Sequence, residues 1–214
     1  MGGISNILLG AAPNYPVVTG FNTNEGIGTV PLNITRPGAA SGAFQIFFGA
    51  CDTSGVTWTG GTGYTEILDD AGVNSLRMAW RLTSGDGATA AFNSTSPGAT
   101  IRGILAAFSQ GTIGNVGAVA QDGAVAAFLD VPGIMVPAAG TLLAFFYSSN
   151  TSEFYSVNGA LATNWTASKF VGTFNNTLTV LAKPVWPGAT GTMRFVPSIL
   201  GGNLSGVLVS VSGG

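Results

Sequence analysis

The sequence predicts an all-β protein made of two tandem, related antiparallel β-sandwich or jelly-roll-like domains. Three observations carry this. Apolar residues recur with a period of two in short runs. Gly, Asn, Ser and Pro punctuate those runs at even spacing, and no stretch reads as a capped amphipathic helix. One order of motifs occurs twice within the 214 residues.

In the first half, strands are predicted over 30–34, 43–48, 64–67, 76–82, 89–92 and 101–108. The run at 76–82 shows the logic: Leu76, Met78 and Trp80 face one way, Arg77, Ala79 and Arg81 the other. In the second half, strands are predicted over 124–129, 142–147, 153–157, 165–170, 178–183, 191–195 and 204–211. Unprotected edges such as 43–48 call for cover from the sister domain or another subunit, because few charges are present to guard them.

The repeat is read from paired residues. A shift of 103 lays Gly85 on Gly188, Thr89 on Thr192 and Phe92 on Phe195. The same shift lays Gly103 on Gly206, Leu105 on Leu208 and Gly111 on Gly214. With small changes of shift, Leu76–Arg81 lies over Leu178–Lys183, Tyr64-Thr65 over Trp165-Thr166, and Gly42–Phe48 over Gly140–Phe146. The Gly/Asn-containing stretch 111–117 reads as a linker, which divides the chain into domains 1–112 and 113–214.

Composition narrows the function. Seven basic and nine acidic residues leave 16 charges in 214 residues, where an average soluble chain would carry about 50. A net charge of −2 on so uncharged a surface favours a life spent against neighbours, in an oligomer or lattice. The basic residues are scattered, so no cluster exists to neutralise phosphates, and nucleic acid is not an expected partner. The most apolar stretch, 131–147, is broken by Pro132, Gly133, Pro137 and Gly140 and is short for a membrane span. No export signal is legible at the start of the sequence, which points to a protein assembled in the cytoplasm without a membrane.

Histidine is absent, which removes the commonest general base and metal ligand. Neither a Ser-His-Asp nor a Cys-His arrangement can form within the chain, and no phosphate-cradling loop is present. The single cysteine, Cys51, reads as a small buried apolar residue. Glu66, Asp69 and Asp70, approached by Asp52 or Asp86, are the one carboxylate group to weigh as a glycosidase pair or calcium site. Asp69-Asp70-Ala-Gly72 reads instead as a solvated turn. Catalytic, cofactor and metal residues are therefore all expected to be absent. Of the four tryptophans, Trp80 and Trp165 read as core. Trp58 and Trp186 sit in loop-like contexts and are the candidates for a ligand or subunit contact.

Three runs carry a resemblance: Trp58–Leu68, Leu76–Phe92 and Ile101–Phe108. An aromatic-Thr pair in a Gly-rich turn leads to a strand rich in aromatic and basic residues. A Gly-Asp turn then opens into Ala-Thr-x-x-Phe, and a closing strand ends near Gly. This pattern resembles the β-sandwich modules of tailed-phage structural proteins. In the second half the aromatic-Thr pair is Trp165-Thr166, and the Gly-Asp turn has become Pro187-Gly188.

The resemblance implies a virion component. Such modules occur in head-decorating and in tail-associated proteins alike. The expectation is a non-enzymatic decoration or cement protein on the head exterior, assembled in the host cytoplasm. Its partners would be its own copies, as a trimer, and the major capsid protein or other virion proteins. The alternatives are a tail-fibre or baseplate receptor-binding component, a carbohydrate-binding module, and a bacterial surface filament subunit.

Overall fold

The computed structural model describes residues 15–28, 30–37, 42–83, 89–123, 127–149, 154–158, 165, 167–173, 176–197 and 202–213. Every regular element among them is a β-strand. Asp86, Glu153, Thr166 and the first half of the strand predicted at 124–129 lie outside the described residues.

The first half forms eight strands: β1 Val18–Ile27, β2 Leu32–Thr35, β3 Phe44–Cys51, β4 Trp58–Gly60, β5 Thr65–Ala71, β6 Ser75–Leu82, β7 Thr89–Ser94 and β8 Thr100–Phe108. They build a five-stranded sheet in the order β1-β8-β3-β6-β5 and a three-stranded sheet in the order β2-β7-β4. This interleaving is that of a jelly roll.

The second half begins with β9 Thr112–Val116 and β10 Ala120–Asp122, which share the place taken by β1 in the first half, both pairing with the final strand. It continues with β11 Leu129–Val131, β12 Met135–Val136, β13 Gly140–Ser148, β14 Phe154–Asn158, β15 Ala167–Thr173, β16 Asn176–Val185, β17 Gly188–Ala189, β18 Met193–Pro197 and β19 Leu204–Ser212. The large sheet runs β10-β19-β13-β16-β15 and the small one β11-β18-β14, the same order as in the first half, with a two-stranded β12-β17 pair added. No strand pairing among the described residues joins the two halves.

What joins them is a core. One apolar cluster takes Phe44, Ile46, Phe48, Leu76, Met78, Ile104 and Phe108 from the first large sheet, and Leu143, Phe145, Tyr147, Leu178, Val180, Val207 and Val209 from the second. The two large sheets therefore stack face to face. Each also covers its own small sheet on the other side, Phe47 and Leu105 in the first half and Phe146 and Leu208 in the second. The result is four layers. The central strands β3, β8, β13 and β19 are buried on both faces apart from the first residue of β8. That double burial explains why β3 and β13 read as nearly continuous apolar runs instead of clean alternations.

The halves are related by a pseudo-two-fold axis along the strands. β1 lies against β15 and β8 against β16. On the opposite flank Asp70 of β5 meets Gln121 of β10. Strand register gives the equivalences. Ile101 pairs with Cys51 and Leu204 with Ser148, so Phe48 corresponds to Phe145. These two rings stack at 5.3 Å, each on its own counterpart, as residues on a two-fold axis do. Elsewhere a large residue in one half has a small equivalent in the other: Phe44, Trp80 and Phe108 correspond to Thr141, Ala182 and Val211, whereas Ala50 corresponds to Tyr147. The shared core is thus a jigsaw fitted to two unlike partners.

Three sequence expectations change. The alignment of Gly42–Phe48 on Gly140–Phe146 is out by one residue. It would put Phe48 on Phe146, yet Phe48 faces the shared core and Phe146 the small sheet, and a one-residue slip exchanges faces. The strand at 43–48 is no edge but the centre of its sheet, and the sister domain covers its face. The linker at 111–117 contains β9. Gly114 lets this strand approach the last one, since a Cβ there would lie 2.5 Å from Ser210 Oγ, and Ile113 packs on the shared core.

The repeated glycines have a steric cause. A Cβ at Gly103 would lie 2.7 Å from the Phe47 ring and from Ile34. At Gly206 it would lie 2.8 Å from Val131 and 2.9 Å from the Phe146 ring. Each glycine makes room for an aromatic ring laid across the central strands. Phe47 stacks in turn on Phe92, 3.5 Å between centroids and 7° between planes, while Phe146 packs on Phe195.

Candidate functional site

The two candidate tryptophans part company. Trp58 lies in β4, 3% exposed, with its ring edge-on to Phe47 at 5.9 Å. Its indole fits over Gly49, where a Cβ would sit 2.9 Å from Trp58 Cη2. Trp58 is core, and its reading as a contact residue is corrected. The signal was the mid-strand glycine that clears its place.

Trp186 is 72% exposed, more than any other large apolar side chain among the described residues. It follows the end of β16 between Pro184 and Pro187, where the chain leaves the large sheet and crosses to the β12-β17 pair. A surface groove of about 240 Å³ runs along Lys183–Thr190 beside it. A second groove of about 130 Å³, lined by Tyr15–Val18, Thr141 and Pro184, shares Pro184 with the first. Met135, paired with Ala189, is 59% exposed, and Val17 is 53% exposed. Lys183 is buried and lies over the Trp165 ring at 5.7 Å. Arg81 sits over Tyr64 at 5.3 Å in the equivalent place of the first half, so the repeat keeps a cation–π pair while changing both partners. Trp165 packs against its half's core, and Trp80 packs on the shared core, 5.6 Å from Phe44.

The carboxylates do not form a catalytic pair. Asp69 and Asp70 are strand residues of β5 rather than a turn, so their side chains point to opposite faces. Asp70 Oδ1 accepts from the Gly72 backbone N–H at 2.9 Å, closing the turn, and from Gln121 Nε2 at 2.6 Å across the domain boundary. Asp69 turns toward Arg77 and the Trp58 backbone. Burial raises its carboxyl above the usual carboxylate range, and a hydrogen bond with the Trp58 backbone opposes the shift. A bulge between Glu66 and Leu68 brings Glu66 to the same face as Asp69, with its carboxylate 3.7 Å from Arg77. Asp52 is elsewhere, accepting from the Thr100 backbone N–H at 3.1 Å and meeting Asn176 at 3.5 Å. No group of three potential ligands among the described residues is placed to hold a metal ion.

The remaining reactive group and four of the basic residues are turned inward. Burial pushes the Cys51 thiol up, away from the thiolate form that does chemistry. Arg102 is 2% exposed on the shared-core face, with Nε 3.5 Å from Glu25. Its guanidinium lies near Tyr147, whose phenol is pushed well above its ordinary value, chiefly by burial. Arg77, Arg81, Arg102 and Lys183, four of the chain's seven basic residues, are buried. Strand alternation had placed Arg77 and Arg81 on the face away from Trp80. It gave no sign that this face, too, is covered.

Comparison with protein-family models, with curated proteins and with solved structures found no match.

Proposed function

We propose that this chain is a non-enzymatic structural protein of a phage particle, a decoration or cement protein on the exterior of the head. The supporting observation is the charge distribution. The chain has only 16 charged residues, and at least four of the seven basic ones are spent inside it. A surface so poor in charge suits large contacts with neighbouring subunits and suits a free, dispersed catalyst badly. The four-layer body adds to this. Two jelly rolls locked through one core present a rigid block, and a block that stabilises a lattice must not flex at its own domain boundary. Partners on this reading are other copies of the chain and the major capsid protein.

A second reading, a tail-fibre or baseplate component that binds a host-surface glycan, draws on Trp186, since an exposed indole beside a groove can stack on a sugar. Gold-labelled antibodies against the protein, imaged on purified particles, separate the two. The decoration reading expects a regular array of label over the head. Label confined to the tail tip supports the second reading, and particles without label sink both.

A further inference from the structure

We infer that the end of the molecule bearing Trp186 is a self-association face, at which the indole of one copy enters a groove of a second copy of this chain. The inference rests on the oligomeric part of the reading above and names the surface that serves it.

No apolar cluster among the described residues accounts for Trp186. It is 72% exposed and belongs to none of the apolar clusters. The pseudo-two-fold axis supplies an internal control. The register that pairs Leu82 with Phe44 and Pro184 with Thr141 makes Leu82 and Pro184 equivalent, and two residues further along the sequence stand Ser84 in the first half and Trp186 in the second. The sequence there reads Ser84-Gly-Asp-Gly87 in the first half and Trp186-Pro-Gly-Ala189 in the second. Core positions stay apolar in both halves, as Leu76 and Leu178 or Ile46 and Leu143 do. The indole at one of two corresponding sequence positions therefore has no cause in the packing of the described residues.

The chemistry of this end selects its occupant. Val17, which lines the second groove, and Met135, paired with Ala189 of the first, are exposed, and Pro184 is common to both grooves. The one charge in the lining is Lys183, turned onto Trp165. A cationic ligand would find no counter-charge here, and the one cation is engaged with Trp165, whereas an apolar, uncharged surface would be matched. Another copy brings such a surface. It carries both the anchor and the groove, and at a net charge of −2 little long-range repulsion holds two copies apart. A tryptophan in a fully desolvated groove is also the residue type that most often dominates an interface.

Sedimentation equilibrium of the purified full chain tests this, with Trp186→Ser as the variant. Ile27→Ser serves as control, since Ile27 is 62% exposed and pairs with Thr100 at the opposite end of the strands. The wild type is expected to self-associate. Trp186→Ser should raise the dissociation constant by about 30-fold or more, and Ile27→Ser should leave it unchanged. Tryptophan emission of the wild type should shift to the blue as concentration rises. Unchanged thermal melts for both variants are expected, because neither side chain is packed. A monomeric wild type overturns the inference, as does a Trp186→Ser variant that associates like the wild type or a control that weakens equally. A monomeric wild type that still labels the heads overturns this face alone. Association through Trp186 without any label on particles overturns the virion reading and keeps the face.

Discussion

At the scale of single residues, two glycines and a tyrosine carry constraints that can be measured. Gly103 and Gly206 stand where a methyl group would strike an aromatic ring and its neighbours. Gly103→Ala and Gly206→Ala should each lower stability by about 1–3 kcal/mol, the usual cost of overpacking a closed core, measurable by denaturant titration. Tyr147 sets an alkaline limit. An unfolded tyrosine ionises near pH 10, while burial holds the native phenol above that value. The native state keeps a proton that the unfolded state releases, so stability falls as pH rises past about 10 and is unaffected below. Between about pH 9 and about pH 11, the wild type should lose more thermal stability than Tyr147→Phe. The sequence showed the repeated glycines as a pattern, but their cause lay in rings brought over them by distant strands. It set Trp58 and Trp186 alike in loop-like contexts, whereas Trp58 is buried and Trp186 exposed. Both lie in Gly- or Pro-rich surroundings, and only the packing of Trp58 over Gly49 tells them apart.

At the scale of elements, apolar runs bounded by turn residues were legible as strands whether one face or both are buried, and a strand with no buried face was not. β6, β7, β8 and β19 sit close to their predicted spans. β1 went unread because its sequence, Val-Thr-Gly-Phe-Asn-Thr-Asn-Glu-Gly-Ile, has no apolar alternation. Its place depends on β8 beside it and on Asn22 and Asn24, which donate side-chain hydrogen bonds to the backbone of the β2 region. β9 was hidden by the glycine that allows it to approach β19. The acidic pair at the end of β5 illustrates the limit for site prediction. Adjacent aspartates look like one site in sequence and face opposite ways in a strand. One of them, Asp70, ties the halves together through Gln121. Asp70→Ala and Gln121→Ala should each cost about 1 kcal/mol. A double-mutant cycle should show the two losses to be non-additive.

At the scale of the whole molecule, the repeat is more than a duplication of domains. The faces that would be the outsides of two separate sandwiches have become one interior, centred on Phe48 and Phe145. The sequence showed that there were two jelly-roll-like units. It did not show that they share a core, because face-to-face packing leaves no periodicity of its own. The uneven sizes across the axis, Phe44, Trp80 and Phe108 against Thr141, Ala182 and Val211, mean that neither half can stand in for the other. Such a body should unfold as one unit, although its length and its two sandwiches would ordinarily allow two steps. Differential scanning calorimetry of the full chain tests this most directly. A shared core predicts a single transition whose calorimetric and van't Hoff enthalpies agree. Two resolved transitions, or a van't Hoff enthalpy near half the calorimetric one, would show that the halves fold apart and that the stacked sheets are not one core.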